Sequence, residues 1–178
     1  MSIVLESTKR VTEKSDHVSI STEAVKAWAE NFPDKNTAHW LEKAPFDISG
    51  LKERDRLHLI LVLNAISFSY WDDEKWTMDY KGEKIDGAYG MIAALGRAFE
   101  EKAPITDFRY LAEMPESDFK EILRGEGTIP LFENRLKILR EVGSVLSSKF
   151  NGDLTQLIQS VDSADELLEK IITLLFQR

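Results

Sequence analysis

The chain is 178 residues long, with 43% apolar and 30% charged residues, a globular balance that excludes wholesale disorder. It contains no cysteine, which excludes disulfides, thiolate metal sites, thiol catalysis and cysteine-held iron–sulfur clusters. A formal net charge of −8 repels phosphate, so direct nucleic-acid binding is not expected, while a small anion held by one or two local cations stays compatible.

No segment reaches the roughly 18 uninterrupted apolar residues of a membrane span. The opening Met1-Ser2-Ile3-Val4-Leu5-Glu6 lacks the basic and apolar regions of a signal peptide. The expectation is a soluble, cytoplasmic chain with no membrane partner.

Taken in order, Ser21 caps a helix carrying Val25, Trp28, Ala29 and Phe32, closed by Pro33. Residues 57–67 are apolar nearly all round, which predicts a buried central helix, with a strand as the weaker reading. After a polar turn at residues 72–75, Trp76, Met78 and Tyr80 alternate with polar residues. Lys81-Gly82 then makes a two-residue turn, and the chain returns through Ile85. This predicts a β-hairpin over about 76–85 with those three side chains on one face. Ala88, Met91, Ile92, Leu95, Ala98 and Phe99 fall at helical spacing, stopped by Pro104.

Residues 116–124 predict a short helix ended by Gly125 and Gly127. Pro130 opens a long helix with the stripe Leu131, Phe132, Leu136, Leu139, Val142, Val145 and Leu146, closed by Asn151-Gly152. Ser163 and Glu166 form a capping box for a last helix carrying Leu167, Leu168, Ile171, Ile172, Leu174 and Leu175. The fold class is therefore mainly α, a single compact helical domain over 1–178 with one hairpin. The last helix grows more apolar toward its end. That face must be covered by the rest of the domain, by a second chain, or by a homodimer partner.

The chemistry-bearing residues are sparse. The three histidines, His17, His39 and His58, show no HExxH or paired spacing, so no metal is expected and no cofactor is implied. Five of the 17 aromatics, Phe68, Tyr70, Trp71, Trp76 and Tyr80, lie within 13 residues. Such a cluster either stacks on a planar heterocycle or fills the core and hairpin face. Asp72, Asp73 and Asp107 are conceivable acid–base groups, but 31 acidic residues give no means of choosing among them. Glu133 and Arg135 read as a substrate clamp or as solvated surface charge.

Four stretches in register resemble the queuosine salvage protein family. They are Val4-Leu5-Glu6-Ser7 running on to His17-Val18-Ser19-Ile20, and residues 63–71 followed by Lys75-Trp76-Thr77-Met78-Asp79-Tyr80-Lys81-Gly82. Next comes Asp86-Gly87 with Ala93-Ala94-Leu95-Gly96-Arg97-Ala98 and Pro104-Ile105-Thr106. The last is Ile129-Pro130-Leu131-Phe132-Glu133-Asn134-Arg135 with Ile138-Leu139-Arg140-Glu141-Val142-Gly143 and Phe150-Asn151-Gly152. Ser67 stands where the family usually has Asn, Asn64 where Asp is common, and Ala88-Tyr89 where a Tyr-Trp pair is usual.

The resemblance implies a mainly helical fold similar to the N-terminal half of helical DNA glycosylases. It implies hydrolysis of the N-glycosidic bond of queuosine 5′-phosphate, which releases queuine for salvage into tRNA. Phe68, Tyr70 and Trp71 would wall the base, and Glu133 and Arg135 would order the site. The family's second half carries a Phe-Lys-Arg-Ala-Gln-like segment and an Asp-Tyr-Arg segment whose Asp is the implied catalytic carboxylate. Neither segment occurs in this sequence, so the catalytic residue stays unknown and a lacking C-terminal half is the expectation. The alternative is a non-catalytic module on the same scaffold, binding a nucleoside, a base or a protein.

Overall fold

The computed structural model describes residues 3–17, 19–31 and 40–176, which fall into two compact units, residues 1–38 and 39–178. In the first unit, α1 spans Ile3–Lys14 and α2 spans Thr22–Glu30. Ser21 caps α2 as its spacing predicts, its hydroxyl accepting the Ala24 N–H at 3.1 Å. The stop assigned to Pro33 lies outside the described residues.

The second unit opens with a single 3-10 turn, Trp40–Lys43, and continues through α3, Glu53–Ile66, the predicted central helix. His58, Leu59, Val62, Leu63 and Ile66 of α3 are all buried. Its low amphipathicity reflects its place: α4, α7 and α8 all pack against it. The hairpin follows, with β1 at Thr77–Tyr80 and β2 at Glu83–Asp86. The strands pair antiparallel from Thr77↔Asp86 to Tyr80↔Glu83. Lys81 and Gly82 both take positive φ (54° and 87°), the twist that a two-residue hairpin turn requires.

Trp76, Met78 and Tyr80 all face inward, as their alternation predicts. The Trp76 indole N–H donates to the Leu123 carbonyl at 3.0 Å, so a large apolar ring is buried without stranding its donor.

Helix α4, Gly87–Glu100, lies against both strands and carries the longest buried run among the described residues, 90–96. Two short helices follow, α5 at Phe108–Ala112 and α6 at Glu116–Ile122. The long α7 runs Phe132–Phe150, then come α8, Leu154–Gln159, and α9, Ala164–Phe176. Helix α7 packs closely on α5, because a Cβ at Gly143 would sit 2.7 Å from the Phe108 carbonyl oxygen.

Three details differ from the sequence expectation. Helix α7 starts at Phe132, because Leu131 sits in left-handed backbone (φ 55°) and serves as the N-cap. Leu131 is half exposed and does not belong to the buried stripe. The Gly125-Glu126-Gly127 stretch does more than end a short helix: Glu126 and Thr77 exchange backbone hydrogen bonds at 2.8 and 3.0 Å, laying it along β1. Finally, α1, which is twelve residues long, is absent from the sequence expectation, as are α5 and α8, which are too short to show a period. The caps of α5 and α8 were visible as Asp107 and Asp153, which accept the N–H groups of Arg109 and Thr155 at 2.9 Å each.

The predicted box before α9 forms with a shift of one residue. Ser163 accepts the Glu166 N–H at 3.2 Å, and Glu166 reaches back to the Asp162 N–H at 2.9 Å. Leu167 and Ile171 of α9 pack on the core, while Leu168 and Ile172 are exposed. The apolar end at residues 174–176 lies outside the described side chains. Among the described residues no helix is long and apolar enough to cross a membrane.

Candidate functional site

Arg135 sits in the first turn of α7 and is fully buried. A buried guanidinium must spend its N–H groups on acceptors, because stripping a charge of water costs more than any other burial. Its Nε donates to the Pro130 carbonyl at 3.0 Å, and its two terminal nitrogens donate to the carbonyls of Ile66, Phe68 and Ser69, the last at 2.8 Å. The cation also lies 4.4 Å from the centre of the Phe68 ring and 5.1 Å from that of Tyr70. Burial pushes its pKa down from the ordinary arginine value, with the Tyr70 phenol opposing.

The aromatic cluster of the sequence therefore divides. Trp76 and Tyr80 belong to the core. Phe68 and Tyr70 are half buried against Arg135, and the Tyr70 hydroxyl meets the Ser67 hydroxyl at 2.9 Å. Desolvation raises the Tyr70 pKa, and the Ser67 hydrogen bond and the Arg135 charge work against that rise. Trp71, next along the chain, is 92% exposed.

Beside this segment lies a cleft of about 740 Å³. It is lined by Asp72, by Leu123, Gly125 and residues 127–130 of the loop before α7, and by Leu131, Phe132, Glu133 and Asn134 at the start of α7. Lys120 and Arg124 of the α6 end complete it, and Glu116 lines it too. Both cations are already engaged: Lys120 meets Glu116 at 2.5 Å, and Arg124 meets Glu121 at 2.9 Å as well as Glu101. The Lys120 ammonium lies 5.9 Å from the Phe132 ring centre.

Of the residues singled out in the sequence, Phe68, Tyr70 and Arg135 come together in one knot. Glu133 is exposed at the cleft edge and also borders a second hollow of about 450 Å³ with Lys137 and Arg140. Trp71 stands apart from the knot, in solvent, next to Asp72. Asp107 is a helix cap and not a cleft residue. Lys120 and Asn134 were missed, because nothing in the spacing of single polar residues distinguishes a cleft wall from open surface.

His58 is buried between the Thr106 carbonyl and the Leu154 N–H, and its ring lies on Phe108 at 4.4 Å. It joins elements and faces no cleft. No group of three potential metal ligands converges among the described residues.

The profile of the queuosine salvage protein family matches residues 49–177, which contain the whole knot and the whole cleft. A Sphaerobacter thermophilus protein described as queuosine 5′-phosphate N-glycosylase/hydrolase is 36% identical, over 96% of this chain and 52% of its own length. Proteins of the same description from Bos taurus and Mus musculus are 30% and 29% identical, each over 94% of this chain and 52% of their own length. The chain spans about half the length of the curated relatives it matches. With a family profile covering most of its residues, the chain belongs to the queuosine salvage protein family.

Proposed function

We propose that this chain contributes to hydrolysis of the N-glycosidic bond of queuosine 5′-phosphate, supplying the part that holds the nucleotide. The observation that carries the proposal is the family match across the cleft and the aromatic knot. A cleft of about 740 Å³ falls within the usual 300–1,000 Å³ of small-molecule sites. In this reading Trp71 presents a free ring face to the base, with Phe68 and Tyr70 behind it. Glu133 faces the ribose, and Lys120 is the cation nearest to hand for the 5′-phosphate. Arg135 orders the site.

The chemistry fits a carboxylate-dependent reaction. Queuine is a 7-deazaguanine and lacks the ring nitrogen that purine cleavage ordinarily protonates. The barrier then falls mainly through stabilisation of the oxocarbenium-like ribosyl cation and through directed attack of water on C1′, with the base leaving as it gains a proton. The implied catalytic Asp belongs to a segment that these 178 residues do not contain. We therefore assign no catalytic residue here. A further segment or a second chain bearing that carboxylate would complete the site, and a homodimer packed through the exposed Leu168 and Ile172 of α9 would cover the last helix. The setting is cytoplasmic in this reading.

Incubation with queuosine 5′-phosphate, with queuine release followed by mass spectrometry, tests the proposal. Release on addition of the remaining half of a relative supports it. Release by the chain alone would place the catalytic carboxylate among these residues. The departures from the family's usual residues at Asn64, Ser67 and Ala88-Tyr89 favour one other reading, a non-catalytic binding module. Nucleotide binding without release under either condition would establish that reading instead.

A further inference from the structure

We propose that Arg135 is a positioning residue that locks the two lips of the cleft to each other from beneath and never touches the ligand. The inference rests on the reading of the cleft as the nucleotide site. Arg135 is wholly buried, and every one of its nitrogens is committed to main-chain carbonyls. Those carbonyls come from two chain segments that both reach the cleft lining. Ile66, Phe68 and Ser69 shortly precede Asp72, and Pro130 lies in the lining next to the start of α7.

The backbone supports the same assignment. Ser69 (φ 45°) and Leu131 (φ 55°) are both non-glycine residues in left-handed conformation, and each is bonded by Arg135 or directly follows a carbonyl that Arg135 bonds. Strained backbone of this kind persists only where surrounding contacts over-determine it. A planar fork that takes four carbonyls at once supplies that over-determination, and the point charge of lysine cannot copy it. The stacked Phe68 and Tyr70 rings fix the plane of the fork. Four of its five guanidinium N–H groups are spent on those carbonyls, and the side chain is wholly buried, so a substrate phosphate does not reach it.

The test combines two ligands with a ligand-free reporter. Queuosine and queuosine 5′-phosphate are titrated calorimetrically into wild type and Arg135→Lys. The chain labelled with 5-fluorotryptophan is followed by fluorine NMR, with the Trp71 signal assigned through Trp71→Phe. If Arg135 positions the lips, Arg135→Lys weakens both ligands by the same factor, about tenfold or more. The Trp71 resonance then moves while that of Trp76, in the core, stays. Loss confined to the phosphorylated ligand with an unmoved Trp71 signal would make Arg135 a phosphate contact and overturn the proposal. Unchanged affinities would reduce it to a packing residue.

If the wild type binds neither ligand, the reading of the cleft fails. The Trp71 and Trp76 signals still decide whether Arg135 sets the lip. Should Arg135→Lys fail to fold, Phe68→Leu removes only the ring stacked on the fork and leaves every carbonyl in place. It should give the same pattern more weakly, and an unmoved Trp71 signal there would count against the proposal.

Discussion

His58 accepts the Leu154 backbone N–H on Nε2 at 3.1 Å, across 96 residues of sequence, while its Nδ1 lies 2.8 Å from the Thr106 carbonyl oxygen. Because Nε2 accepts, the ring proton belongs on Nδ1, where it donates to Thr106. One imidazole thus ties α3 to the turn before α5 and to the start of α8. His58→Phe keeps an aromatic ring in place, though a larger one, and leaves the buried Leu154 N–H and the part-buried Thr106 carbonyl without partners. It should cost about 3 kcal/mol in urea unfolding.

The Tyr110 hydroxyl donates to Asp118 at 2.5 Å, joining α5 to α6. Desolvation first, and the neighbouring carboxylate second, push the Tyr110 phenol up to about 12. A raised folded pKa favours the protonated fold, so its contribution is complete below the unfolded tyrosine value near 10 and is lost as pH climbs toward about 12. Thermal unfolding of wild type between pH 9 and 12 should show this loss. Tyr110→Phe should start less stable and show a shallower alkaline decline.

Gly143 is where α7 presses onto α5. A Cβ there would sit 2.7 Å from the Phe108 carbonyl oxygen and closer still to the Ala112 nitrogen, both of them backbone atoms that cannot swing aside. Despite the better helix propensity of alanine, Gly143→Ala should destabilise by about 1–3 kcal/mol, measured by denaturant titration.

Trp71, 92% exposed, contributes little to the fold. Trp71→Ala should leave the unfolding free energy within about 0.5 kcal/mol of wild type. If the ring stacks on the base, queuosine 5′-phosphate binding should weaken by about 1–3 kcal/mol, which calorimetry would read directly. An unchanged affinity would remove Trp71 from the site.

Much of the architecture was legible because it rests on local periodicity. The inward face of Trp76, Met78 and Tyr80 follows from alternation, and the turn at Lys81-Gly82 from the backbone freedom of glycine. Helices α3, α4 and α7 follow from apolar spacing and the positions of Pro104 and Asn151-Gly152. The start of α7 was misread by two residues, because no pattern announces a leucine in left-handed backbone. The short α5 and α8 escape such a reading because five or six residues cannot display a 3.6-residue period, and α1 escapes it because Val11 is its one apolar residue after Leu5.

The sequence by itself determined a mainly helical chain with one hairpin, free of cysteine chemistry, and in-order motifs that mark its family. It could not separate an exposed Trp71 from the half-buried Phe68 and Tyr70 beside it, or a buried Arg135 from a surface one. Those distinctions depend on which main-chain carbonyls arrive from residues 66–69 to meet a side chain nearly seventy positions later. Hydrophobic period records which side of an element faces inward. The partner that waits there is decided only when distant segments pack.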